Sequence, residues 1–323
     1  MGSSFPKLTS KALLSPMAGV TDVAFRTLAK QYGAGLTYTE FVSGTAIVRG
    51  NEKSLLMLRT DLIEKPVAVQ LFGNSVQDVV DAARQIEDDF DIIDINCGCP
   101  AWKVIKTGSG SALLNNPEKI SFFINKLASA VNKPVTLKIR SGIDEQHMNA
   151  VEIAKLAEDA GAAAIGVHGR TQKQGYSGKA DWSVIKQVKE AVSIPVIGNG
   201  DVFSPEDVKK RIEETRVDYV LIARGAIGNP AIFQQVNDYL KTGTYESIDK
   251  IKQFFEFLEL AKKYELPFNI IKTHAMSFTK GLEGSARVRE GISRADNLKE
   301  LINVLQACRN QVQMKNYPVI SVQ

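Results

Sequence analysis

Two thiols and an amide stand together in Asn96-Cys97-Gly98-Cys99-Pro100, directly after the apolar run Ile92-Ile93-Asp94-Ile95. A thiol can serve as nucleophile, metal ligand or acid, and an amide can orient a ring through one donor and one acceptor edge. Gly98 lets the backbone turn sharply, and Pro100 stops a ladder of backbone hydrogen bonds. The stretch reads as a reactive group offered at the end of a buried strand. These residues alone do not choose between Cys97 and Cys99.

Polar groups recur after other short apolar runs. They are Ser15-Pro16-Met17-Ala18-Gly19, Glu40, Gln70, Lys138-Ile139-Arg140, His168-Gly169-Arg170, Asn199-Gly200-Asp201 and Ala223-Arg224-Gly225. In the last two, glycine amides can approach an anion closely and Arg224 offers a bidentate fork, which suits a phosphate. Lys138 interrupts an apolar strand, where an unpaired charge is costly. It must point into the barrel mouth, where it suits negative charge on a cofactor, or pair with an acid. His168 is one of three histidines and closes a fully apolar run. Met17 supplies a soft apolar contact, and Gln70 can present donor and acceptor together to an imide edge. A planar polar ring with a phosphate tail is FMN in outline. Cys97, Cys99 and His168 lack zinc-ligand spacing, so no metal is expected.

The elements that must carry these groups follow from periodicity. Strands are predicted at Lys11–Pro16, Leu36–Phe41, Pro66–Phe72, 91–96, Pro134–Arg140, Ala164–His168, Pro195–Asn199 and Tyr219–Ala223. Helical segments alternate with them. After Ser75, for example, Val76, Val79, Val80, Ala83 and Ile86 fall on one helical face. A further helix is predicted over 45–58. Eight strand–helix units predict an α/β fold, a closed (β/α)8 TIM barrel, with the polar strand ends gathered on one face. An open doubly wound sheet is the competitor, but no dinucleotide fingerprint is present. After Gly243 the pattern becomes wholly helical: Ile248–Tyr264, Pro267–Lys280, Ala286–Arg294 and Ala295–Gln311. A catalytic barrel over 1–242 and a helical domain over 243–323 are expected.

Composition narrows the setting. A hydrophobic content of 44% in 323 residues suffices for a barrel of about 250 residues and an extension. No run of about 18 apolar residues occurs, so no membrane span is expected. Met1-Gly-Ser-Ser is short and polar and does not read as a signal peptide. Three cysteines suit a reducing, cytoplasmic compartment. Residues 262–323 hold ten Lys/Arg against five Asp/Glu, while the whole chain has a net charge of +4. A basic C-terminal part can meet a polyanion.

Pro16-Met17-Ala18-Gly19-Val20-Thr21-Asp22, Gln70, Asn96-x-Gly98-Cys99-Pro100, Lys138-x-Arg140, His168-Gly169-Arg170-Thr171, Asn199-Gly200-Asp201 and Arg224-Gly225, taken in order, resemble the dihydrouridine synthases, flavoenzymes that reduce uridine in tRNA. The resemblance covers essentially the whole chain. It is looser from Lys272-Thr273-His274 to Lys280-Gly281 and from Gly284 to Arg289. It implies FMN held by Pro16, Met17, Ala18, Gln70, Lys138, His168, Asn199, Gly200, Asp201, Ala223 and Arg224. Ala223 stands where many members have glycine. The motif Gly-Cys-Pro gives Cys99 the catalytic role and leaves Cys97 at a variable position.

The same resemblance implies a hydride to C6 and a proton from Cys99 to C5, with NADPH as electron source. Asn96 would place the uracil ring, and Lys138 would favour negative charge on the flavin. Arg140 and Arg170 would touch RNA or flavin near the mouth. Lys272, Lys280, Arg287 and Arg289 would grip tRNA phosphates, offsetting the cost of turning the uridine out of its stack. The chain is expected to work as a monomer without a stable protein partner. The alternatives are a flavin barrel acting on a free small molecule such as a pyrimidine, an RNA-binding barrel without catalysis, and a Cys-x-Cys metal or redox site.

Overall fold

The computed structural model describes residues 3–316. Met1 and Gly2 of the polar N-terminal stretch, and 317–323 of the expected helical domain, lie outside the described residues. Eight strands form: β1 (Ala12–Leu14), β2 (Thr37–Ser43), β3 (Val67–Phe72), β4 (Ile92–Cys97), β5 (Val135–Arg140), β6 (Ala164–His168), β7 (Val196–Asn199) and β8 (Tyr219–Ile222). Each pairs in parallel with its sequence neighbours from β2 to β8, and β8 pairs with β1. Bonds from Leu14 N to Leu36 O (3.0 Å) and Gly35 N to Ala12 O (2.9 Å) bring β1 back to the start of β2. The eight strands thus form a nearly closed barrel.

The strands read as continuous apolar runs because both faces are covered. Their period of two still sorts the side chains. In β4, Ile93, Ile95 and Cys97 join the core shared with the surrounding helices. Ile92 joins a second cluster with Leu13, Leu36, Tyr38, Ala68, Ala164, Ile197 and Leu221, which fills the barrel floor beside Phe5 and Leu8. Asp94 and Asn96 share the inward parity of Ile92. Register then places Gln70 beside Asp94, Asn96 beside Lys138, and Arg140 and Asn199 on either side of His168.

Two stretches differ from expectation. The helix over 45–58 is two short helices, Gly44–Val48 and Glu52–Leu56. Gly50, at φ 65°, breaks it in a left-handed conformation. Between Pro100 and Pro117 the chain forms a helical turn, Trp102–Ile105, and a 3₁₀ segment, Gly110–Asn115; neither was predicted.

Helix Ile232–Thr242 ends at Gly243, φ 79°. Four helices follow: Lys250–Lys263, Phe268–Phe278, Ser285–Arg294 and Leu298–Asn316. The first two pack on the barrel helix Val23–Gln31, and the last two follow on from them. His274 lies between Phe25 and Phe257, with ring centroids 5.2 and 4.3 Å away, and its Nε2 is 2.7 Å from Asp22 Oδ2. Asp22 also caps the barrel helix through Phe25 N. Arg59 donates to Tyr264 O at 2.8 Å. The buried pair Arg26–Glu64, at 2.6 Å, lies in the same region. Among the described residues no helix is long and apolar enough to cross a membrane.

Candidate active site

A cavity of about 460 Å³ opens at the C-terminal ends of the strands. Its wall contains all eleven residues expected to hold FMN: Pro16, Met17, Ala18, Gln70, Lys138, His168, Asn199, Gly200, Asp201, Ala223 and Arg224. Asn96, Cys99 and Arg140 line it too. Cys97 does not; it is 1% exposed in the outer core. Burial raises its thiol pKa far beyond the ordinary range. Among the described residues no cluster of three or more His, Cys, Asp or Glu could hold a metal ion.

The loop bearing Cys99 is held from several sides. Asn96 Oδ1 accepts from Gly98 N at 3.1 Å and from Cys99 N at 2.8 Å. Cys99 O accepts from Ser111 N at 3.1 Å and Ser111 Oγ at 2.9 Å. A Cβ on Gly110 would lie 2.9 Å from Cys99 O, so the 3₁₀ segment approaches closely only because this residue is glycine. Burial raises the Cys99 pKa, while the N–H of Ala101 and the charges of Arg140 and Lys138 oppose the rise. The thiol is protonated at neutral pH, and its thiolate would meet positive charge.

The same cavity holds groups suited to a flavin. Lys138 Nζ and the His168 ring make no hydrogen bond or ion pair among the described residues. Burial lowers Lys138 to about 8, helped by Arg140. Burial and then Lys138, Arg140, Arg170 and Arg224 lower His168 to about 2, so the imidazole is neutral. A cationic amine and a neutral imidazole without protein partners fit a ligand that brings acceptors. Asn199 donates to Leu221 O at 2.9 Å. Gly200, at φ 130°, has no room for a side chain, since a Cβ would meet that of Ala180 at 2.4 Å. Arg224 lies between the rings of Tyr176 and Phe203, with centroids 5.1 and 5.4 Å away, and pairs with Asp201 at 2.8 Å. These features fit a flavin that carries a phosphate.

Two candidates have internal partners instead. Arg170 is 2% exposed and does not line the cavity. It donates to Ser177 O at 3.0 Å, Gly178 O at 2.6 Å and Asp201 Oδ2 at 2.8 Å. These bonds tie the loop after β6 to Asp201 on the cavity wall. Lys272 donates to Ser293 O at 2.7 Å and Ala295 O at 2.8 Å, closing the C-terminus of helix Ser285–Arg294. Arg287 and Lys280 are exposed and Arg289 is half-buried, all far in sequence from the cavity.

Three lining residues escaped the sequence reading, and two groups outside the lining bear on the site. Phe41, Tyr176 and Phe203 give the cavity aromatic walls. Glu40 accepts from Gly19 N at 2.5 Å and so fixes the turn after Met17 and Ala18. Trp102, 72% exposed, stands three residues beyond Cys99. The pair Gly108-x-Gly110 was the available signal that this segment folds back on the cysteine.

The family model for dihydrouridine synthase (Dus) matches residues 13–315. A tRNA-dihydrouridine synthase B of Pseudomonas aeruginosa is 40% identical over 295 residues, covering 89% of each chain. That of Pasteurella multocida is 36% identical over 316 residues, covering 95% of each. Among solved structures, histamine dehydrogenase from Rhizobium sp. 4-9 aligns with a TM-score of 0.56 at 14% identity, over 78% of this chain and 49% of that one. The TcOYE complex with pHBA aligns at 0.55 and 14% identity, over 72% and 89%. At such identities these likenesses speak for the barrel fold. The family match and the relatives' coverage say more: the chain belongs to the dihydrouridine synthase family.

Proposed function

We propose that this protein reduces uridine to 5,6-dihydrouridine in tRNA, with FMN in the barrel and Cys99 as the acid. One observation carries the reading. The Cys99 thiol, on a loop whose backbone is held by Asn96, shares a cavity with the eleven residues expected to hold FMN. When bound and reduced by NADPH, FMN supplies the hydride for C6 of the uracil ring.

The chain's own residues account for the rest. Asn96 fixes the loop, so the Cys99 thiol faces a ring placed in the cavity. The thiol gives its proton to C5, and Arg140, Lys138 and Ala101 N–H stabilise the thiolate left behind. Lys138 attracts negative charge on the flavin, and neutral His168 offers it a hydrogen bond. Arg140 uses its Nε and Nη1 on carbonyls of the cavity walls, and its Nη2 is the group that would meet the uracil. Lys280, Arg287 and Arg289 meet tRNA phosphates. We place the reaction in the cytoplasm, with a single chain as the working unit; the three free cysteines suit that compartment.

The test combines purified protein, FMN, NADPH and an unmodified tRNA transcript, and counts dihydrouridine by mass spectrometry. Product is expected on tRNA. Turnover on free uracil or orotate, with no gain on tRNA, would overturn the reading.

A further inference from the structure

Asp94 lies beneath the cavity and is 2% exposed. Its Oδ1 accepts from Thr136 Oγ1 at 2.5 Å and its Oδ2 from Gln70 Nε2 at 2.7 Å. Gln70 Oε1 accepts from Asn96 Nδ2 at 2.8 Å. Asn96 Oδ1 accepts from Gly98 N and Cys99 N. The chain has fixed ends. An ionised carboxylate only accepts, and a backbone N–H only donates. The two carboxamides between them can each face two ways. Only one combination satisfies both ends.

We propose that Asp94 is a positioning residue for the uridine-reducing reaction: its carboxylate sets the orientation of Gln70 and Asn96 and thereby holds the loop that carries Cys99. The proposal rests on the function given above. Reversal of Gln70 would turn its amide donor toward Asn96 and reverse that side chain in turn. The Asn96 amide donor would then face Gly98 N–H and Cys99 N–H, which offer no acceptor, and the loop would be released.

The cost of keeping this carboxylate supports the assignment. Burial raises Asp94 to about 6, although Gln70, Thr136 and Lys138 oppose the rise. Between its ordinary value near 4 and about 6, the folded group keeps a proton that the unfolded group has released. Stability therefore falls as pH rises through that window, and at neutral pH the ionised group lowers it. Three other titratable groups interact with it electrostatically: Tyr38 on β2, Cys97 on the far face of β4 and Lys138 on β5. Tyr38 and Cys97 are raised and neutral, and Lys138, at about 8, is still charged near pH 6. Asp94 alone among them changes charge there. Protonated, it can donate, so the carboxyl end no longer excludes the reversed orientation of Gln70.

Asp94→Asn keeps the shape and removes the acceptor-only end. In holoenzyme without tRNA, amide hydrogen exchange over 97–101 should quicken by about tenfold or more, as loss of a hydrogen-bond partner implies. Reoxidation of the reduced enzyme by tRNA should slow by a similar factor, with the melting temperature at pH 7 unchanged or higher. Wild-type reoxidation should fall below about pH 6, and the variant should lack that limb. Thr136→Val removes a donor to the carboxylate and should move the limb to higher pH. Unchanged exchange with the same acid limb would overturn the proposal. So would a lower melting temperature with loss of flavin, which would make Asp94 structural only. If wild-type enzyme leaves tRNA unreduced, the functional reading fails, and the exchange measurement still decides the role of Asp94.

Discussion

Arg140 Nε donates to Gly98 O at 2.9 Å, tying β5 to the loop that carries Cys99. Its Nη1 donates to Thr171 O at 2.8 Å and Gly175 O at 3.0 Å, in the loop that carries Tyr176. One guanidinium thus holds two walls of the cavity in place. A lysine ammonium cannot serve three carbonyls so spaced with the same fixed fork. Arg140→Lys should lose at least about 10-fold in dihydrouridine formation and about 2 kcal/mol of stability, on the scale of charge-assisted bonds to buried carbonyls. Flavin content and turnover measured together test this; wild-type turnover would refute it.

The two neighbouring thiols should separate cleanly. Cys99→Ala should retain flavin and NADPH-driven flavin reduction but form almost no dihydrouridine. Cys97→Ala removes a sulfur from the outer core, where the side chain is 1% exposed. It should cost about 1 kcal/mol of stability, as small core truncations do, and leave turnover near normal. Equal losses of activity in both variants would reject the assignment of the acid.

Lys138 gives flavin binding a pH dependence. Burial holds its pKa at about 8, below that of an unfolded lysine. The amine of the empty protein is therefore charged below about 8 and neutral above it. An anionic ligand binds the charged form better, so FMN affinity should fall as pH rises through 8 and level off where the bound-state amine deprotonates. Lys138→Met should bind more weakly and lose this dependence. Flavin fluorescence titrations at pH 7 and 9.5 measure it, and equal affinities at both would contradict the role.

Much of this site was legible because chemistry at strand ends breaks the apolar pattern. Lys138, His168 and Arg224 stand out as charged or polar groups after buried strands, and all three line the cavity. The sorting of Cys97 from Cys99 was also present, since Asp94 and Asn96 alternate with Ile93, Ile95 and Cys97. It stayed hidden because a strand covered on both faces has no polar side to mark its phase. Arg170 and Lys272 have internal partners that their sequence positions do not reveal. A guanidinium or ammonium near a site reads as a ligand contact, but unpaired carbonyls in loops and at helix ends compete for it. Ser177, Gly178, Ser293 and Ala295 take those donors here. Tyr176 and Trp102 lie in segments without periodicity and gave no signal.

Trp102 provides a direct probe of the mouth. The chain has two tryptophans. Trp182 is 5% exposed and donates to Gly200 O at 2.9 Å, whereas Trp102 is 72% exposed. Acrylamide quenching of the holoenzyme should therefore report mainly on Trp102. Lys103 and Lys106 are exposed beside it, and a base drawn toward the cavity can stack on the indole. Adding tRNA should reduce the quenching constant, and Trp102→Leu should abolish most of the change. A constant unaffected by saturating tRNA would exclude contact at this rim.

The basic residues of the helical segment should divide by what their charges already hold. Arg287 is exposed, so its guanidinium can replace counterions on a phosphate. Arg287→Ala should weaken tRNA binding and reduce the slope of log affinity against log salt by about 1. Lys272 is spent on the carbonyls of Ser293 and Ala295. Lys272→Ala should instead lower the melting temperature, with about 1 kcal/mol lost per bond, and leave the salt slope unchanged. The two variants compared across a salt series separate recognition from capping. A salt slope altered by Lys272→Ala and not by Arg287→Ala would reverse the assignment, placing the phosphate track on the opposite side of helix Ser285–Arg294.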